Sequence, residues 1–337
     1  MKKVLSLVLA LMLVLGSMAM ALAETAGADA MTIYFMPKEI SGAWNIYSIT
    51  GATDFGEKMG VNVIVSGPAS ADATAQINML EDAIVAKPDA IVIATNDAAG
   101  CAASINKAIE QGIVVLTYDS DSPESNRAFY VNSASDYECA RDFVKEVAQA
   151  KGENAKVAVM GGGISAGNQQ DRLRGVQDEI AENYPNMEIV ATTWSDDDAE
   201  VAYQNAENLI MANPELDAII GISGYEPHSA AGAVKDAVGQ GIVEQGQIYI
   251  TGLTLPDVIR QYVEDGTVAS VYVTEPAFLA YTATYVAYQM VKGETFQPGD
   301  VITVDGLDGV QATVNDDKTI YFGLVQLTAE NISQYSW

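Results

Sequence analysis

The chain has 337 residues, of which 45 are Asp or Glu and 17 are Lys or Arg, so its formal net charge is −28. This charge argues against a nucleic-acid partner and against electrostatic docking on an anionic membrane, because both need clustered Lys and Arg. Apolar residues make up 49% of the chain, which excludes disorder, and two cysteines exclude a dense disulfide scaffold. The length exceeds what one hydrophobic core usually serves, so we expect two domains.

The N-terminus has the pattern of an export signal. Lys2 and Lys3 precede a short apolar run, and Ala-Leu-Ala at 21–23 fits a cleavage site, so we predict a signal peptide over 1–23. An uncleaved N-terminal anchor is the alternative. Cleavage would leave 15 basic and 45 acidic residues, a net charge of −30. No later stretch approaches the ~20 apolar residues that cross a bilayer. We therefore expect an exported protein, periplasmic or extracellular, that is soluble after cleavage.

The next part of the chain alternates short β-rich runs with helical segments. The helix at 73–86 is marked by Ile77, Leu80 and Ile84 on one face, and Pro88 follows its end. Strands are predicted at 32–36, 61–65, 90–94 and 113–118, and helices at 44–59, 73–86, 100–111 and 135–151. Continuously apolar strands such as IVIA indicate a parallel sheet covered by helices on both faces.

The same alternation then repeats, with no Pro- or Ser-rich linker between the halves. Strands are predicted at 156–160, 188–193, 218–222 and 247–251, and helices at 169–183, 198–212 and 229–238. The tail differs: a strand at 268–273, a long helix at 278–291 and a β-rich, turn-rich stretch over 301–327. The pattern predicts two doubly wound α/β halves with parallel sheets, in which ligands bind at the carboxyl ends of the strands.

At these strand ends the residues resemble a known family. Phe-Met-Pro-Lys at 35–38 closes the first strand, and VLTYDSDSPESNRAFYVN spans 115–132. The chain resembles the type I periplasmic sugar-binding proteins of ABC transporters, in the branch with the autoinducer-2-binding and rhamnose-binding proteins. The resemblance implies two parallel-sheet lobes joined by three crossover strands, with a ligand enclosed by hinge motion. It also implies a monomeric, non-enzymatic receptor with no cofactor or metal, whose partners are a small polyhydroxylated ligand and ABC permease subunits.

On this basis the lobes have expected boundaries. The N-terminal lobe would comprise 30–133 plus 276–292, and the C-terminal lobe 134–275 plus 293–337.

Candidate ligand-binding residues of the first lobe follow its strands. The resemblance implies that Lys38, after Pro37, donates to ligand oxygens; a solvated lysine is the alternative. Asp119 and Asp121 follow an apolar strand, and ionised carboxylates accept several hydrogen bonds from sugar hydroxyls, although such runs also form turns. Asn96 and Asp97 have the same placement, but either could cap the helix that follows.

Candidates of the second lobe rest mainly on the resemblance. Asn168 and Gln169 fall where the autoinducer-2 branch carries an Asp-Gln pair, so the first position departs from it. Arg172 lies in an R-x-x-G-V pattern similar to R-x-x-G-F of ribose binders, with a surface salt bridge as its alternative. Ser223 occupies the place of a Pro-x-Ala contact. Glu275, before a proline, matches a hinge-side residue that reaches the ligand, or it caps the long helix.

Aromatic candidates are Trp44 and Tyr47, because rings stack on the apolar faces of sugars. Either could instead be a core residue. Spacing does not decide whether Cys101 and Cys139 pair, and the only histidine, His228, offers no basis for a catalytic triad or a metal site.

The expected function is capture of a small sugar or sugar-like ligand and its delivery to an ABC permease. A receptor that signals to a membrane sensor kinase or chemoreceptor would use the same site and remains open. A secreted hydrolase is disfavoured, because GISG at 221–224 is not the G-x-S-x-G nucleophile elbow.

Overall fold

The structure is a computed structural model that describes residues 31–307 and 309–335. The predicted signal peptide at 1–23 therefore lies outside the described residues. The helices are α1 (Ala43–Met59), α2 (Ala73–Ala86), α3 (Ala98–Glu110), α4 (Asp136–Lys151), α5 (Gly167–Asn183), α6 (Ala199–Ala212), α7 (Glu226–Gly239), α8 (Pro256–Glu264) and α9 (Pro276–Val291), with a short 3₁₀ turn at Ile332–Gln334.

The strands are β1 (Thr32–Met36), β2 (Asn62–Val65), β3 (Ala90–Ile93), β4 (Val114–Tyr118), β5 (Tyr130–Asn132), β6 (Lys156–Gly161), β7 (Glu188–Trp194), β8 (Ala218–Gly221), β9 (Tyr249–Gly252), β10 (Ser270–Val273), β11 (Val301–Thr303), β12 (Gln311–Val314), β13 (Thr319–Tyr321) and β14 (Val325–Thr328). Most predicted elements lie within a few residues of these bounds. Helix α8 was not predicted from the sequence.

The first lobe is built on an eight-stranded sheet of order β11-β12-β13-β5-β4-β3-β1-β2. The strands from β2 to β5 are parallel, as predicted from their apolar sequences. Helices α1 and α9 cover one face, where Phe55 and Tyr281 pack edge to face, and α2 and α3 cover the other. Gly51 permits the close packing of α1 on α9, because a Cβ there would lie 2.0 Å from the carbonyl oxygen of Ala277.

The second lobe has a parallel sheet of order β7-β6-β8-β9, which an isolated bridge from Leu253 to Tyr272 extends to β10. Strand β14 then pairs antiparallel with β10. Helices α6, α7 and α8 cover one face and α4 and α5 the other, each over its own apolar core. The predicted doubly wound α/β fold is confirmed.

The tail divides differently from the expected boundary at 293. Strand β13 pairs parallel with β5, and β12 and β11 continue the first sheet. The assignment of 293–337 to the C-terminal lobe is therefore wrong for the segment 301–321. Its physical reason is that β5 leaves an edge open, and Ile320 and Ala312 complete the first core. Only β14 and the 3₁₀ turn join the second lobe.

The chain passes between the two sheets three times, at 133–135, 274–275 and 322–324. The crossings are hydrogen-bonded to one another. The Ser133 carbonyl accepts from the Gly323 N–H at 2.6 Å, and its hydroxyl accepts from Thr274 Oγ1. We call these three irregular connecting segments the hinge; they lie beside the cleft.

Candidate functional site

A cavity lies between the lobes at the carboxyl ends of their strands, where the fold class predicts a ligand site. Its empty volume is about 520 Å³, part of which is open to solvent. It is lined by Lys38, Trp44, Asn45, Asp119, Asn132, Asn168, Gln169, Arg172, Asp197, Ser223, Gly224, Tyr225, Leu253 and Thr274. Both lobes and the hinge thus contribute side chains to the lining of this cavity.

The first polar group joins the lobes through three side chains. Lys38, after β1, places its Nζ 3.4 Å from Asp119 Oδ2, after β4. Lys38 Nζ donates to Asn168 Oδ1 at 3.3 Å, and Asn168 Nδ2 donates to Asp119 Oδ1 at 3.3 Å. All three side chains are buried. They form a closed ring of donors and acceptors that a ligand hydroxyl could enter from the cavity side.

Arg172 is held by groups at the back of the cavity. It forms a 2.6 Å ion pair with Asp136 at the start of α4, and its NH1 donates to the Ile222 carbonyl at 2.9 Å. Asp136 also accepts from the Tyr130 hydroxyl at 2.7 Å. Burial raises the pKa of Asp136 to about 6, against the opposing charge of Arg172. Arg172 Nε is buried without a hydrogen-bond partner, so one donor of a cavity-lining side chain is unused.

A second polar group belongs to the C-terminal lobe alone. Gln169, in the first turn of α5, accepts from the Gly162 N–H at 2.6 Å and donates to Asp197 Oδ1 at 3.2 Å. Ser223 Oγ donates to the same Asp197 oxygen at 2.9 Å. A side chain at Gly162 would displace the Asp197 carboxylate, since a Cβ would meet Asp197 Oδ1 at 1.8 Å. One oxygen of Asp197 is thus fixed by protein donors.

Aromatic side chains from both lobes complete the cavity. Trp44, at the start of α1, faces Gly224 across the cleft, where a Cβ would lie 3.7 Å from the indole ring. The Tyr225 hydroxyl donates to Glu39 Oε1 of the other lobe at 3.3 Å. Near this contact, Asn45 also donates to Glu39, at 3.4 Å. The rings supply the apolar surface that a sugar face requires.

The lobes are closed on each other around this cavity. Beyond the ring at Lys38, the Ser165 hydroxyl donates to the Asn96 carbonyl at 3.1 Å, and the Ala98 N–H donates to the Ser165 carbonyl at 3.3 Å. With the Glu39–Tyr225 bond, these contacts close the rim opposite the hinge. A ligand in the cavity would be largely removed from water.

Of the residues proposed from the sequence, seven line the cavity: Lys38, Trp44, Asp119, Asn168, Gln169, Arg172 and Ser223. The structure places Asn96 and Asp97 elsewhere. Asn96 Nδ2 donates to the Lys38 carbonyl at 2.8 Å and so supports the loop behind the cavity. Asp97 caps α3 by accepting from the Gly100 N–H at 2.9 Å, which is the alternative that its position left open.

Asp121, Tyr47 and Glu275 are also absent from the cavity wall. Asp121 points away and forms a buried ion pair with Arg127, whose Nε donates to it at 2.6 Å. Tyr47 is a half-buried residue of α1. Glu275 precedes α9 without a capping hydrogen bond, and partial burial raises its pKa to about 7. We therefore do not include these three residues in the candidate site.

Sequence reasoning missed the cavity residues Asn45, Asn132, Asp197, Gly224, Tyr225, Leu253 and Thr274. Asp197 lies three residues after the end of β7, in an Asp-rich run whose last member, Asp198, caps α6. The strand-end rule that selected Asp119 would have selected Asp197 as well. Asn132 ends β5, and the same rule applies to it.

Neither a disulfide nor a metal-binding cluster is found in the part of the chain that the structure describes. Cys101 and Cys139 are buried and unpaired. Within 31–307 and 309–335, no group of three His, Cys, Asp or Glu side chains could hold a metal ion. In the same part of the chain, no helix has the length and apolar character needed to cross a membrane.

Comparison with known proteins assigns this chain to a family. A model of the periplasmic binding protein domain matches residues 33–295. The ribose import binding protein of Salmonella typhimurium is 23% identical over 284 residues, which cover 83% of this chain and 92% of that protein.

Two solved structures share the fold. A solute binding protein of an ABC transporter from Clostridium phytofermentas, with bound L-rhamnose, has a TM-score of 0.82 at 23% identity and covers 92% of this chain and 99% of its own. LsrB from Clostridium saccharobutylicum, in complex with AI-2, has a TM-score of 0.80 at 23% identity, with coverage of 91% and 100%. The family inferred from the strand ends is confirmed: this chain belongs to the periplasmic binding protein family, whose members bind solutes for ABC transporters.

Proposed function

We propose that this protein is an extracytoplasmic receptor that captures a small polyhydroxylated ligand, a sugar or sugar-like molecule, between its lobes and delivers it to an ABC permease. One observation carries the proposal: Lys38 and Asp119 of one lobe and Asn168 of the other hydrogen-bond across a closed cavity. Ligand hydroxyls can replace these weak contacts of 3.3–3.4 Å with stronger ones.

The roles of the side chains follow from their chemistry. Asp119 and Asp197 accept hydrogen bonds from ligand hydroxyls, and Lys38 and the unpartnered Nε of Arg172 donate to ligand oxygens. Trp44 covers an apolar face of the sugar ring. A wrong epimer would leave one of these buried groups unpaired, and that loss is the source of specificity. The names of its relatives, which include binders of ribose and L-rhamnose, support a sugar as the ligand class.

Export and delivery complete the proposal. Residues 1–23 would direct the chain out of the cytoplasm, and the closed pair of lobes would dock on permease subunits as a monomer. Binding requires no catalytic group, cofactor or metal.

Isothermal titration calorimetry of the purified protein against a panel of neutral pentoses, hexoses, deoxysugars and autoinducer-2 tests the function. We expect one ligand to bind at a stoichiometry of about one per chain, as one enclosed cavity requires. An absence of binding across the whole panel would contradict the proposal. Asp119→Asn keeps the size of the side chain and removes its charge, so this variant should bind the same ligand more weakly.

A further inference from the structure

Two carboxylates at the cavity carry their own counter-charge. Asp119 faces Lys38 at 3.4 Å, and Asp136 faces Arg172 at 2.6 Å. Each pair is buried, so its net charge is close to zero where a ligand would bind. These pairs give the site polarity without favouring either sign of ligand charge.

Asp197 differs from both. Its Oδ1 accepts from the neutral donors Gln169 and Ser223, and among the residues at 31–307 and 309–335 no Lys, Arg or His forms an ion pair with it. Its backbone is left-handed, with φ 58°, directly after Asp196 with φ 54°. This turn after β7 places the half-buried carboxylate on the cavity wall.

A second carboxylate lies behind Asp197. Glu226, the first residue of α7, is 0% exposed, and its Oε1 accepts from Ser195 Oγ at 2.7 Å. The Ser223 hydroxyl donates its hydrogen bond to Asp197, and Glu226 Oε2 is buried without a hydrogen-bond partner. Burial, and then the charge of Asp197, raise the pKa of Glu226 to about 7. Among the residues that the structure describes, no Lys, Arg or His forms an ion pair with Asp197 or Glu226. The raised pKa favours the neutral form of Glu226, so Asp197 is the uncompensated charge at this wall.

We infer that Asp197 makes the cavity selective for ligand charge: its carboxylate takes a hydroxyl or ammonium donor and rejects a carboxylate or phosphate. The inference rests on the proposed function, because it concerns the ligand of the same cavity. A ligand anion would lie beside an uncompensated carboxylate in a site that excludes water, where like charges repel strongly. An ammonium group would instead supply the missing counter-charge, and the rings of Trp44 and Tyr225 also favour a cation.

The test is calorimetry with matched ligands that differ in charge. The neutral sugar that binds most tightly is compared with its amino-deoxy form and with its uronate, which keeps the sugar ring, for example D-galactose, D-galactosamine and D-galacturonate. We expect the acid to bind at least about a hundredfold more weakly than the neutral sugar, and the amine to bind at least as tightly as that sugar. An acid that binds within about threefold of the neutral sugar would overturn the inference.

Asp197→Asn then identifies the source of the selectivity. We expect this variant to reduce the ratio of neutral-sugar to acid affinity by about tenfold or more. The matched control is Asp196→Asn, because Asp196 is exposed, belongs to the same left-handed turn and is not part of the cavity wall. An unchanged ratio in Asp197→Asn, or an equal change in both variants, would refute the assignment.

The two proposals fail in different ways. If no neutral sugar binds, the proposed function and the charge selectivity are both wrong. If a neutral sugar binds and its acid form binds equally well, the receptor function stands and only the charge selectivity is lost.

Discussion

Arg172 joins the ligand cavity to the start of α4, next to the hinge. Its guanidinium pairs with Asp136, which follows the first crossing by one residue, and it donates to the Ile222 carbonyl at the end of β8. Removing one partner of a buried ion pair costs more than removing both, because the remaining charge stays buried. The contribution of Arg172 to folding can thus be separated from its contribution to binding.

Arg172→Met should lower the free energy of unfolding by about 3 kcal/mol and weaken sugar binding. The double variant Asp136→Asn with Arg172→Met should recover most of that stability, since no buried charge remains, while binding stays weak. Thermal unfolding and calorimetry on both variants provide the check. If sugar affinity returns together with stability in the double variant, Arg172 does not contact the ligand.

Glu226 should make stability depend on pH. Its pKa rises from 4.5 to about 7 in the folded protein, so its contribution is complete below pH 4.5 and is lost as pH rises through about 7. A shift of this size corresponds to about 3 kcal/mol. The Glu226→Gln variant lacks this titrating group and so avoids the loss. The melting temperature of the variant minus that of the wild type should therefore increase by several degrees between pH 5 and pH 8. Parallel pH profiles for the two proteins would contradict the assigned pKa.

Asp119 illustrates which of the proposed site residues can be placed at the cavity from the sequence. Asp119 follows a strand end and has a counter-charge from another strand end, so chain order and fold class are enough to place it near the cavity. Asp121, two residues later, was beyond prediction because its orientation depends on Arg127. Ion-pair partners within a loop depend on backbone geometry that residue spacing does not determine.

At the scale of elements, one side chain ties the tail to the second lobe. Glu146 on α4 accepts from Thr251 at 2.7 Å, from Tyr272 at 2.9 Å, and also from Ser270 and Gln326. Strands β9, β10 and β14 are therefore attached to the same helix through one carboxylate. The last strand itself belongs to the second lobe because it pairs with β10 and buries Leu327 in that lobe's core.

Glu146→Leu should lower the free energy of unfolding by about 2–4 kcal/mol, because several donors lose a charged acceptor. Sugar affinity should remain within about twofold of the wild type, since Glu146 is remote from the cavity wall. Thermal unfolding and calorimetry measure the two effects. A large loss of affinity with little change in melting temperature would show that the residue acts on the ligand site.

Element prediction succeeded where strand and helix periods alternate, but it missed helix α8, the three-residue strand β5 and the lobe that the tail strands join. Helix α8 has only nine residues, yet Ile259 and Val263 on one face give it a helical apolar period, so the signal was present and was overlooked. The sheet joined by β11–β13 could not be predicted, since an open edge at β5 becomes visible only when the first sheet is assembled. Tail strands contain no signal for the lobe that they join.

For the whole molecule, closure depends on the rim opposite the hinge. Ala98 and Ser165 face each other across the cleft, with the amide of one donating to the carbonyl of the other at 3.3 Å. A disulfide between Ala98→Cys and Ser165→Cys should lock the lobes together. The native Cys101 and Cys139 are buried and should not interfere.

We expect the oxidised double variant to bind and release sugar at least about tenfold more slowly than its reduced form, because the enclosed ligand can leave only when the lobes open. Stopped-flow fluorescence with and without reductant measures both rates, and each single-cysteine variant is the control. Unchanged rates in a fully oxidised sample would mean that ligand exchange does not need hinge opening.

The most direct measurement of the central claim is a crystal structure of the protein with its tightest-binding sugar. The account predicts a single sugar between the lobes, which donates to Asp119 and Asp197 and accepts from Lys38 and Arg172. A sugar bound outside this cavity, or held by one lobe alone while the lobes stay apart, would contradict it.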